Sequence, residues 1–286
     1  MGLKLTVVTG SRADYGLLEY PLKLLDADSF FDLTLCNVWG KGSEPILNTV
    51  FYRESPDLVL VLGDRREIMM TVLSAHLQRI PIAHIAGGDV TEGSYDDAMR
   101  DAISRMASIH FVTSTSAMAR LTHMGYHNIH LVGNPAIDYI KNMPWKKERP
   151  YPKPYVVVSY QPETLTGEDH LDEIIASLPA GKLAVFIMPN PDRGSDEIRE
   201  QITAYCSNHT LHAVSHEALP HAEFLNLIYH CDEFWGNSSS MLYEAPELKV
   251  KVRMFGKRQK GRVIPMGDGH ASERIVKILK YTQGTL

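Results

Sequence analysis

Three aspartates in the middle of the chain stand where a parallel sheet would bind a substrate. Asp89 follows the apolar run 81–85 and a pair of glycines, while Asp96 and Asp97 precede a segment whose apolar residues recur at helical spacing. Parallel sheets bind ligands at the carboxyl ends of their strands, where carboxylates can accept or deliver a proton. The same residues equally fit a simple strand, loop and helix, because aspartate is a common helix cap.

Charged residues follow two more predicted strands in the same half of the chain. Asp64 and Arg65 come directly after the apolar segment 57–63, whose continuous pattern is typical of a strand buried on both faces. Arg12 and Asp14 stand in the turn after the first strand, where a loop could contact phosphate or sugar. Each feature also has a purely structural interpretation. In that interpretation Asp64 would cap the following helix and Arg65 would be solvated. The turn after the first strand would be an ordinary connection between a strand and a helix.

Two segments in the second half have the composition of a phosphate-binding site. Residues 236–240, GNSSS, precede a predicted helix, so that hydroxyl and backbone N–H groups can face an anion. Residues 256–262, GKRQKGR, contain four cations, three between two glycines and one directly after them, which suits a diphosphate. The alternatives are a capping loop for the first segment and a solvated turn for the second. Their occurrence in the same half favours phosphate binding.

The elements that must position these residues alternate between strand and helix. Strands near residues 5, 60, 83, 111 and 131, each followed by a helical segment, predict a doubly wound parallel sheet. The proline- and lysine-rich stretch 141–154 is typical of a linker, and the alternation resumes after it. The predicted fold class is α/β, with two Rossmann-like doubly wound domains and a ligand-binding cleft between them. The predicted domains are 1–143 and 151–270, followed by a C-terminal helix, 271–286.

The composition fits a globular enzyme and argues against several other classes. A chain of 286 residues with 44% hydrophobic and 22% charged residues is ordinary for a globular protein and long enough for two domains. The net charge of −5 gives no general attraction to nucleic acid or anionic membranes. The three cysteines form no CxxC pair, so we expect no zinc site and a reducing compartment. The sequence shows no signal-peptide or transmembrane pattern, and we expect a cytoplasmic protein.

Taken together, the motifs resemble those of the hydrolysing UDP-N-acetylglucosamine 2-epimerases, the enzymes that open sialic acid and legionaminic acid biosynthesis. The resemblance spans nearly the whole chain, and its most specific block is PIAHIAGGDVTEGSYDDAMRDAISRM at 81–106. The other matching segments are TGSRADYG at 9–16, LGDRREI at 62–68, VGNP at 132–135, NPD at 190–192, GNSSS at 236–240, Glu244 and RQKGR at 258–262. That family has the fold of two Rossmann domains called GT-B, so the resemblance implies this fold here.

The resemblance also implies roles for individual residues. Asp64, Asp89 and Asp97, with Asp96 as neighbour, would act around the sugar. The residues that would bind UDP or its sugar are Arg12, Arg65, Ser238, Ser239, Ser240, Glu244 and Arg258. A carboxylate would remove the proton at C2 while UDP leaves from C1, and water would then add with the opposite configuration at C2. The products would be UDP and an N-acetylmannosamine-type sugar, and the family needs neither a redox cofactor nor an obligatory metal.

One position departs from the family pattern. The family carries an HPVT-like segment after the first strand of its second domain, and the histidine of that segment is thought to take part in catalysis. Here the matching segment is YQPET, 160–164, in which Gln161 replaces the histidine. Glutamine cannot transfer a proton near neutral pH, so the change raises the question of whether the chemistry is retained.

Two other functions remain open on the sequence, because a fold can be kept while its chemistry changes. In a GT-B glycosyltransferase, a carboxylate such as Asp89 would activate an acceptor hydroxyl of a small molecule, a glycan or a hydroxymethylated base in DNA. Contact with DNA would use the basic residues of the linker, namely Lys141, Lys146, Lys147, Arg149 and Lys153. The other alternative is a UDP-sugar-binding protein without activity. A homo-oligomer is open in each case.

Overall fold

The computed structural model describes residues 2–39, 43–91, 96–163, 165–190, 192–262 and 267–282. These residues form two compact units. The first unit takes its described residues from 1–90, 96–143 and 264–286, and the second takes them from 91–95 and 144–263. The end of the chain therefore belongs to the same unit as its beginning.

A parallel sheet of six strands forms the first unit. Its strands are β1 (Leu3–Thr9), β2 (Phe31–Asn37), β3 (Leu58–Leu62), β4 (Ile82–Ile85), β5 (Ile109–Val112) and β6 (Ile129–Leu131). The helices that follow them are α1 (Arg12–Asp26), α2 (Ser43–Glu54), α3 (Arg66–Leu77), α4 (Asp96–Met106), α5 (Thr115–His123) and α6 (Pro135–Asn142). In space the strands lie in the order β2-β1-β3-β4-β5-β6, so the strand order reverses between β1 and β3. Doubly wound sheets bind ligands at the carboxyl ends of strands beside such a reversal.

Burial on both faces of the central strands explains why helices cover both sides of this sheet. All five residues of β3, LVLVL, are buried. Leu58 and Leu60 pack with α1 on one face, whereas Val59 and Val61 pack with α2 and α3 on the other. A strand without alternating polar residues has no polar face that could be exposed to water, and it therefore lies inside the sheet with helices on both sides.

A parallel sheet of five strands forms the second unit. Its strands are β7 (Tyr155–Ser159), β8 (Leu183–Ile187), β9 (Ala213–His216), β10 (Glu233–Gly236) and β11 (Val252–Met254). They lie in the order β11-β10-β7-β8-β9, so this sheet reverses between β7 and β10. Its helical segments are α7 (Leu171–Ser177), α8 (Ser195–Asn208), α9 (His221–His230), the 3-10 turn η1 (Ser239–Met241) and α10 (Glu244–Glu247). The last helix, α11 (Ala271–Thr282), packs Ile275 and Leu279 into the core of the first unit.

The predicted α/β class with two doubly wound sheets is confirmed, but two local features differ from what the sequence predicts. The structure has a strand at 213–216, β9, that the sequence does not predict. The segment AVSH is short, and only Ala213 is buried at this sheet edge, so it has no apolar pattern. The helix predicted directly after residues 236–240 is instead η1 followed by the four-residue α10, since Pro246 is tolerated only in a first helical turn. The cap position of α3 is Arg65, so the structural alternative for Asp64, capping of this helix, does not hold. None of the helices within the described ranges is long and apolar enough to cross a membrane.

The predicted linker is anchored to the second unit along part of its length. Its first two residues complete α6. Beyond them, Trp145 is buried against the Tyr229 ring, and Lys147 N–H donates to the Asn226 side chain at 2.8 Å. The Lys146 ammonium lies over the Trp145 and Tyr229 rings. One of the cations considered for DNA contact therefore takes part in packing.

Candidate functional site

Three of the predicted catalytic aspartates meet at one arginine of the first unit. Arg100, on α4, donates from Nη1 to Asp97 Oδ1 at 2.6 Å and to the backbone carbonyl of Asp89 at 2.7 Å. Its Nη2 donates to Asp64 Oδ2. We call Asp64, Asp89, Asp97 and Arg100 the acid cluster. The residues of the cluster that follow β3 and β4 stand at the carboxyl ends of these strands, where parallel sheets bind ligands.

Helix α4 sets this geometry because it bears two members of the cluster. Asp97 and Arg100 are three residues apart and therefore neighbours on one face of the helix. The Arg100 side chain is only 4% exposed, so its charge depends on the carboxylates around it rather than on water. Asp64 and Asp97 keep 19% and 25% exposure and can therefore contact a ligand. Asp96 is the first residue of α4 and is half-buried.

Asp89 is oriented by the neighbouring strand and by a tightly packed loop. Its Oδ1 accepts a hydrogen bond at 2.7 Å from Thr113 Oγ1, and Thr113 directly follows β5. In the loop before Asp89, Gly88 has a φ of 80°. A Cβ at this position would lie 2.7 Å from the Ala117 carbonyl oxygen, so only glycine fits. The close packing of the loop therefore determines where the Asp89 carboxylate lies.

A buried carboxyl group, Asp14, lies in the first turn of α1 and not in the preceding turn that the sequence predicts for it, and it stands beside the reversal of the sheet. Asp14 accepts from Gly10 N–H at 3.2 Å, and its own N–H donates to Ser11 Oγ at 3.1 Å in the cap of α1. Burial raises the pKa of Asp14 from 3.8 to about 6, against the lowering effect of the Arg65 charge. Asp64 raises this pKa further. The first turn of α1 therefore interacts electrostatically with Asp64 of the acid cluster.

Relative to the natural protein, the Asp14→Asn variant is expected to gain stability as the pH rises. In the unfolded chain this carboxyl ionises near pH 3.8, whereas in the folded protein its pKa is about 6. The stabilising contribution of Asp14 is therefore complete below the lower value and is lost as the pH rises through the higher one. Because one pKa unit corresponds to about 1.4 kcal/mol, the difference in unfolding free energy should change by about 3 kcal/mol between about pH 4 and pH 7. Urea denaturation across this range measures it, and parallel stability curves for the two proteins would contradict it.

The two predicted arginines of this unit contact other side chains. Arg65 Nε lies 3.6 Å from Glu67 Oε2, and the Arg65 charge also acts on Asp14. Arg12 is exposed, and its guanidinium stands 5.9 Å from the centre of the Trp39 ring. Both arginines thus follow strands that flank the reversal of the sheet. Their roles in binding UDP or its sugar stay predictions.

In the second unit, the carboxyl ends of β7 and β10 are tied by a reciprocal pair of hydrogen bonds. Gln161 N–H donates to Asn237 Oδ1 at 2.7 Å, and Asn237 Nδ2 donates back to the Gln161 carbonyl at 2.8 Å. Gly236 has a φ of 131°, and a Cβ there would overlap the Ser159 carbonyl oxygen. Only glycine permits this approach of the two strands. The close contact determines where the GNSSS segment leaves the sheet.

The serines predicted to bind UDP follow β10, and the predicted arginine follows β11. Ser238 Oγ accepts from Ser240 N–H at 3.3 Å, and Ser239 is the first residue of η1. Arg258 Nη1 donates to the Pro162 carbonyl at 2.9 Å, which holds the arginine beside the segment after β7. Hydroxyl groups, backbone N–H groups and one guanidinium are thus available at the ligand-binding edge of this sheet.

Glu244 is a buried member of the predicted UDP-binding set. It is 2% exposed, and its Oε1 lies 2.5 Å from Nε2 of His221, the first residue of α9. A carboxylate so far from water needs such a partner. The histidine therefore holds one oxygen of Glu244 in a defined position.

One group of described side chains in the second unit has the composition of a metal site. Glu163, Glu168 and His170 place possible ligand atoms within 4.8 Å of one another. However, Glu163 Oε1 accepts from Lys257 N–H at 2.6 Å, and the Lys257 ammonium lies 3.3 Å from both Glu168 oxygens. A lysine charge therefore already stands where a divalent cation would be needed. The group serves to hold the turn that contains Lys257.

Sequence patterns do not reveal the residues that hold the predicted ones in place. Arg100 gives a partial signal, because it is three residues from Asp97 on a helix and can pair with it. Asn237 and His221 give none, since their partners are 76 and 23 residues away along the chain. Such pairs become visible only when the strand order is known.

Two solved structures share the fold of this chain. The UDP-GlcNAc 2-epimerase of Methanocaldococcus jannaschii, in complex with UDP-GlcNAc and UDP, matches with a TM-score of 0.79 at 18% identity, over 98% of this chain and 100% of the other. The UDP-GlcNAc 2-epimerase of Neisseria meningitidis, bound to UDP-GlcNAc, matches with a TM-score of 0.77 at 16% identity, over 98% and 100%. At these identities the likeness is one of fold, and it confirms the predicted GT-B class.

Relatives with assigned names extend the comparison to sequence. The polysialic acid biosynthesis protein P7 of Escherichia coli is 28% identical over 315 residues, covering 91% of this chain and 80% of the relative. The hydrolysing GDP/UDP-N,N'-diacetylbacillosamine 2-epimerase of Campylobacter jejuni is 32% identical over 223 residues, covering 73% of this chain and 58% of the relative. These names favour an epimerase over the glycosyltransferase that the sequence left open. The family model described as UDP-N-acetylglucosamine 2-epimerase matches residues 34–264, and the chain belongs to that family.

Proposed function

We propose that the chain is a hydrolysing UDP-N-acetylglucosamine 2-epimerase, which converts UDP-N-acetylglucosamine and water into UDP and N-acetylmannosamine. The observation that supports this most directly is the acid cluster, in which Arg100 holds segments bearing three aspartates at one edge of the sheet. Family membership indicates the class of reaction. Several carboxylates in one place supply the proton acceptors and donors that such a reaction needs.

The reaction requires two proton transfers at C2 of the sugar. First, a carboxylate takes the C2 proton, the C1–O bond to the diphosphate breaks, its electron pair leaves with UDP, and a C1–C2 double bond forms. Then the oxygen of water bonds to C1, its proton passes to a carboxylate, and a proton returns to C2 from the opposite face. Proton transfers on opposite faces of the sugar need more than one acid or base group. We assign the first transfer to Asp89 and the others to Asp64 and Asp97.

We assign UDP binding to the second unit. The negative charge that develops on the leaving diphosphate must be offset by positioned donors, and Ser238, Ser239, Ser240 and Arg258 provide hydroxyl, N–H and guanidinium groups. Glu244 would repel a diphosphate, so a carboxylate in this set suits the hydroxyl groups of the ribose. The diphosphate and the sugar are thus assigned to different chemical groups.

Gln161 affects how the proton transfers are divided. Its Oε1 accepts from Asn190 N–H at 2.9 Å, and its backbone pairs with Asn237. The side chain is therefore used to connect the ends of strands, and a neutral amide cannot exchange a proton near neutral pH. In this proposal all proton transfers are made by the aspartates of the first unit.

The Arg258→Ala variant is expected to bind UDP more weakly by about 1.5–3 kcal/mol, the range for hydrogen bonds to a charged group. Calorimetric titration with UDP measures the change. Lys260→Ala is the matched control, since it removes one positive charge from an exposed position in the same segment, and its effect should stay below about 1 kcal/mol. Equal affinities of the Arg258→Ala variant and the natural protein, with the fold intact, would remove Arg258 from the nucleotide site.

Incubation of the purified protein with UDP-N-acetylglucosamine in D2O tests the proposed function. We expect free UDP and N-acetylmannosamine with deuterium at C2, detected by NMR. An Asp89→Asn protein prepared in the same way controls for contaminating epimerase. A parallel reaction with UDP-N,N'-diacetylbacillosamine compares the two 2-acetamido sugars. Intact substrate, or UDP release that needs an added glycan or hydroxymethylated DNA, would reject the hydrolysing epimerase.

A further inference from the structure

A fully buried histidine contacts the segments that bear the acid cluster. His84, on β4, is 0% exposed. Its Nε2 lies 2.7 Å from the Gly63 carbonyl oxygen, and its Nδ1 lies 3.0 Å from Ser104 Oγ. Gly63 immediately precedes Asp64, and Ser104 lies one turn after Arg100 on α4. The ring therefore connects the turn after β3 with the helix that pairs with it.

The two contacts define the protonation of the His84 ring. A carbonyl oxygen can only accept, so Nε2 bears the hydrogen and donates to Gly63, while Nδ1 accepts from the Ser104 hydroxyl. Burial lowers the pKa of His84 to about 4, so the ring is neutral near neutral pH. A neutral ring has one donor and one acceptor, and both are engaged here. His84 is thus a fixed connector and does not exchange protons with a substrate.

Two bridges consequently join α4 to the turn after β3. Arg100 and Ser104 are four residues apart, lie on the same face of α4, and are both buried. Arg100 reaches Asp64 through an ion pair. Ser104 reaches Gly63 through His84. The charged bridge contains groups that face the substrate in our proposal, and the neutral bridge sets the distance between the helix and the turn.

The loop that bears Asp89 packs against the same ring. A Cβ on Gly87 would lie 2.8 Å from Ser104 Oγ and 3.0 Å from His84 Nδ1. The Gly87 backbone therefore approaches the pair so closely that no side chain fits without displacement. Any change in the His84–Ser104 pair is transmitted to this loop as well as to Asp64.

We propose that His84 is a positioning residue for the reaction, holding the acid cluster in its working geometry through Gly63, Gly87 and Ser104. The inference rests on the proposed function, because it assumes that the acid cluster acts on the sugar. His84 does not itself meet the substrate. Its contribution is to hold Asp64, Asp89 and Arg100 at fixed distances, and small displacements of such groups reduce rates strongly.

The test compares two amides in place of the ring. In His84→Gln the longer amide can still donate to the Gly63 carbonyl, whereas in His84→Asn the shorter one reaches only the Ser104 side. We expect kcat to fall about 100-fold in His84→Asn, the effect of a displacement of about 1 Å, and to recover about tenfold or more in His84→Gln. The Kd for UDP should change less than about twofold in both, because the nucleotide set lies in the other unit.

His110 provides the matched control. It is paired with His84 in the register of β4 and β5, is 2% exposed, and burial lowers its pKa to about 4 as well. Its ring packs against Tyr126. His110→Asn should therefore perturb the core in a similar way but lower kcat by less than about threefold. Equal losses of kcat in His84→Asn and His110→Asn would show that His84 is merely structural and overturn the proposal.

A second variant covers the case in which the His84 variants do not fold. Ser104→Ala removes only the hydroxyl group and breaks the same connection at its other end, and we expect about a tenfold fall in kcat. A natural rate in Ser104→Ala would overturn the proposal. If the natural protein itself releases no UDP, the proposed function fails separately. In that case the Kd for UDP divided by the Kd for UDP-N-acetylglucosamine decides. His84→Asn should weaken the binding of the sugar and so lower this ratio, and an unchanged ratio would reject the inference.

Discussion

The Asp89→Asn variant is expected to lose about 10²- to 10⁴-fold in kcat with UDP-N-acetylglucosamine while its affinity for UDP is unchanged. The substitution keeps the shape of the side chain, and the amide oxygen can still accept from Thr113. The backbone carbonyl at this position can still accept from Arg100. The change therefore removes the negative charge and the capacity to take a proton, and little else. A coupled assay for UDP and a calorimetric titration with UDP measure the two quantities.

Thr113→Val is the matched control for Asp89. It removes the hydrogen bond that orients the carboxylate but leaves the carboxylate in place. We expect a loss of about tenfold in kcat, since orientation is impaired and the base remains. If UDP affinity fell in parallel with the rate in Asp89→Asn, Asp89 would serve nucleotide binding or the fold, and the assignment of the proton transfer would be wrong.

The Arg100→Met variant is expected to lose about 3 kcal/mol of unfolding free energy together with its turnover. Methionine can occupy the volume of the arginine stem, but it leaves Asp64 and Asp97 without the guanidinium that joins them. Breaking a buried ion pair from one side costs about 3–5 kcal/mol. The lower end applies here, because the two carboxylates keep 19% and 25% exposure. Urea denaturation measures the stability, and the UDP assay measures the rate.

Arg120→Met is the matched control for Arg100. Arg120 binds both oxygens of Asp101 at 2.7 and 2.8 Å, but the two side chains are 31% and 29% exposed. Such a pair near the surface is worth at most about 1 kcal/mol, even with good geometry. A stability loss in Arg100→Met no larger than that in Arg120→Met would mean that the acid cluster is solvated and not held by a buried charge.

A double variant separates the two effects of Arg100. Adding Asp64→Asn to Arg100→Met removes one of the carboxylates left without its partner, so part of the lost stability should return. The turnover should not return, because Asp64 belongs to the proposed catalytic set. Strictly additive losses of stability would contradict the direct interaction between Arg100 and Asp64.

The sequence by itself determined the fold class and the positions where function was to be sought. The continuous apolar run of β3 predicts a strand buried on both faces, and it lies third from the edge of its sheet with all five residues buried. Asp64 and Asp89 were singled out because they follow such strands, and the structure brings both to Arg100. The strand predictions succeed because apolar periodicity and strand ends are properties of short segments, while the functional roles of the two aspartates stay predictions.

Local patterns were less reliable where a segment is short or lies at a sheet edge. β9 has only one buried residue and leaves no apolar signature. The segment 239–247 contains apolar residues that favour a helix, but Pro246 confines α10 to four residues. At β9 the pairing with β8 decides the backbone conformation, whereas in 239–247 a single proline outweighs the apolar periodicity.

Only the tertiary structure decided which polar groups pair. Arg100 meets Asp64 across 36 residues, Gln161 meets Asn237 across 76, and His84 reaches Ser104 across 20. A buried polar group must find a partner, but the partner is whichever group the strand order places beside it. The reversal of each sheet brings together the ends of strands that are distant along the chain. For this reason the residues that hold the site could not be read from spacing, whereas the residues that we propose for ligand contact were chosen from short sequence patterns.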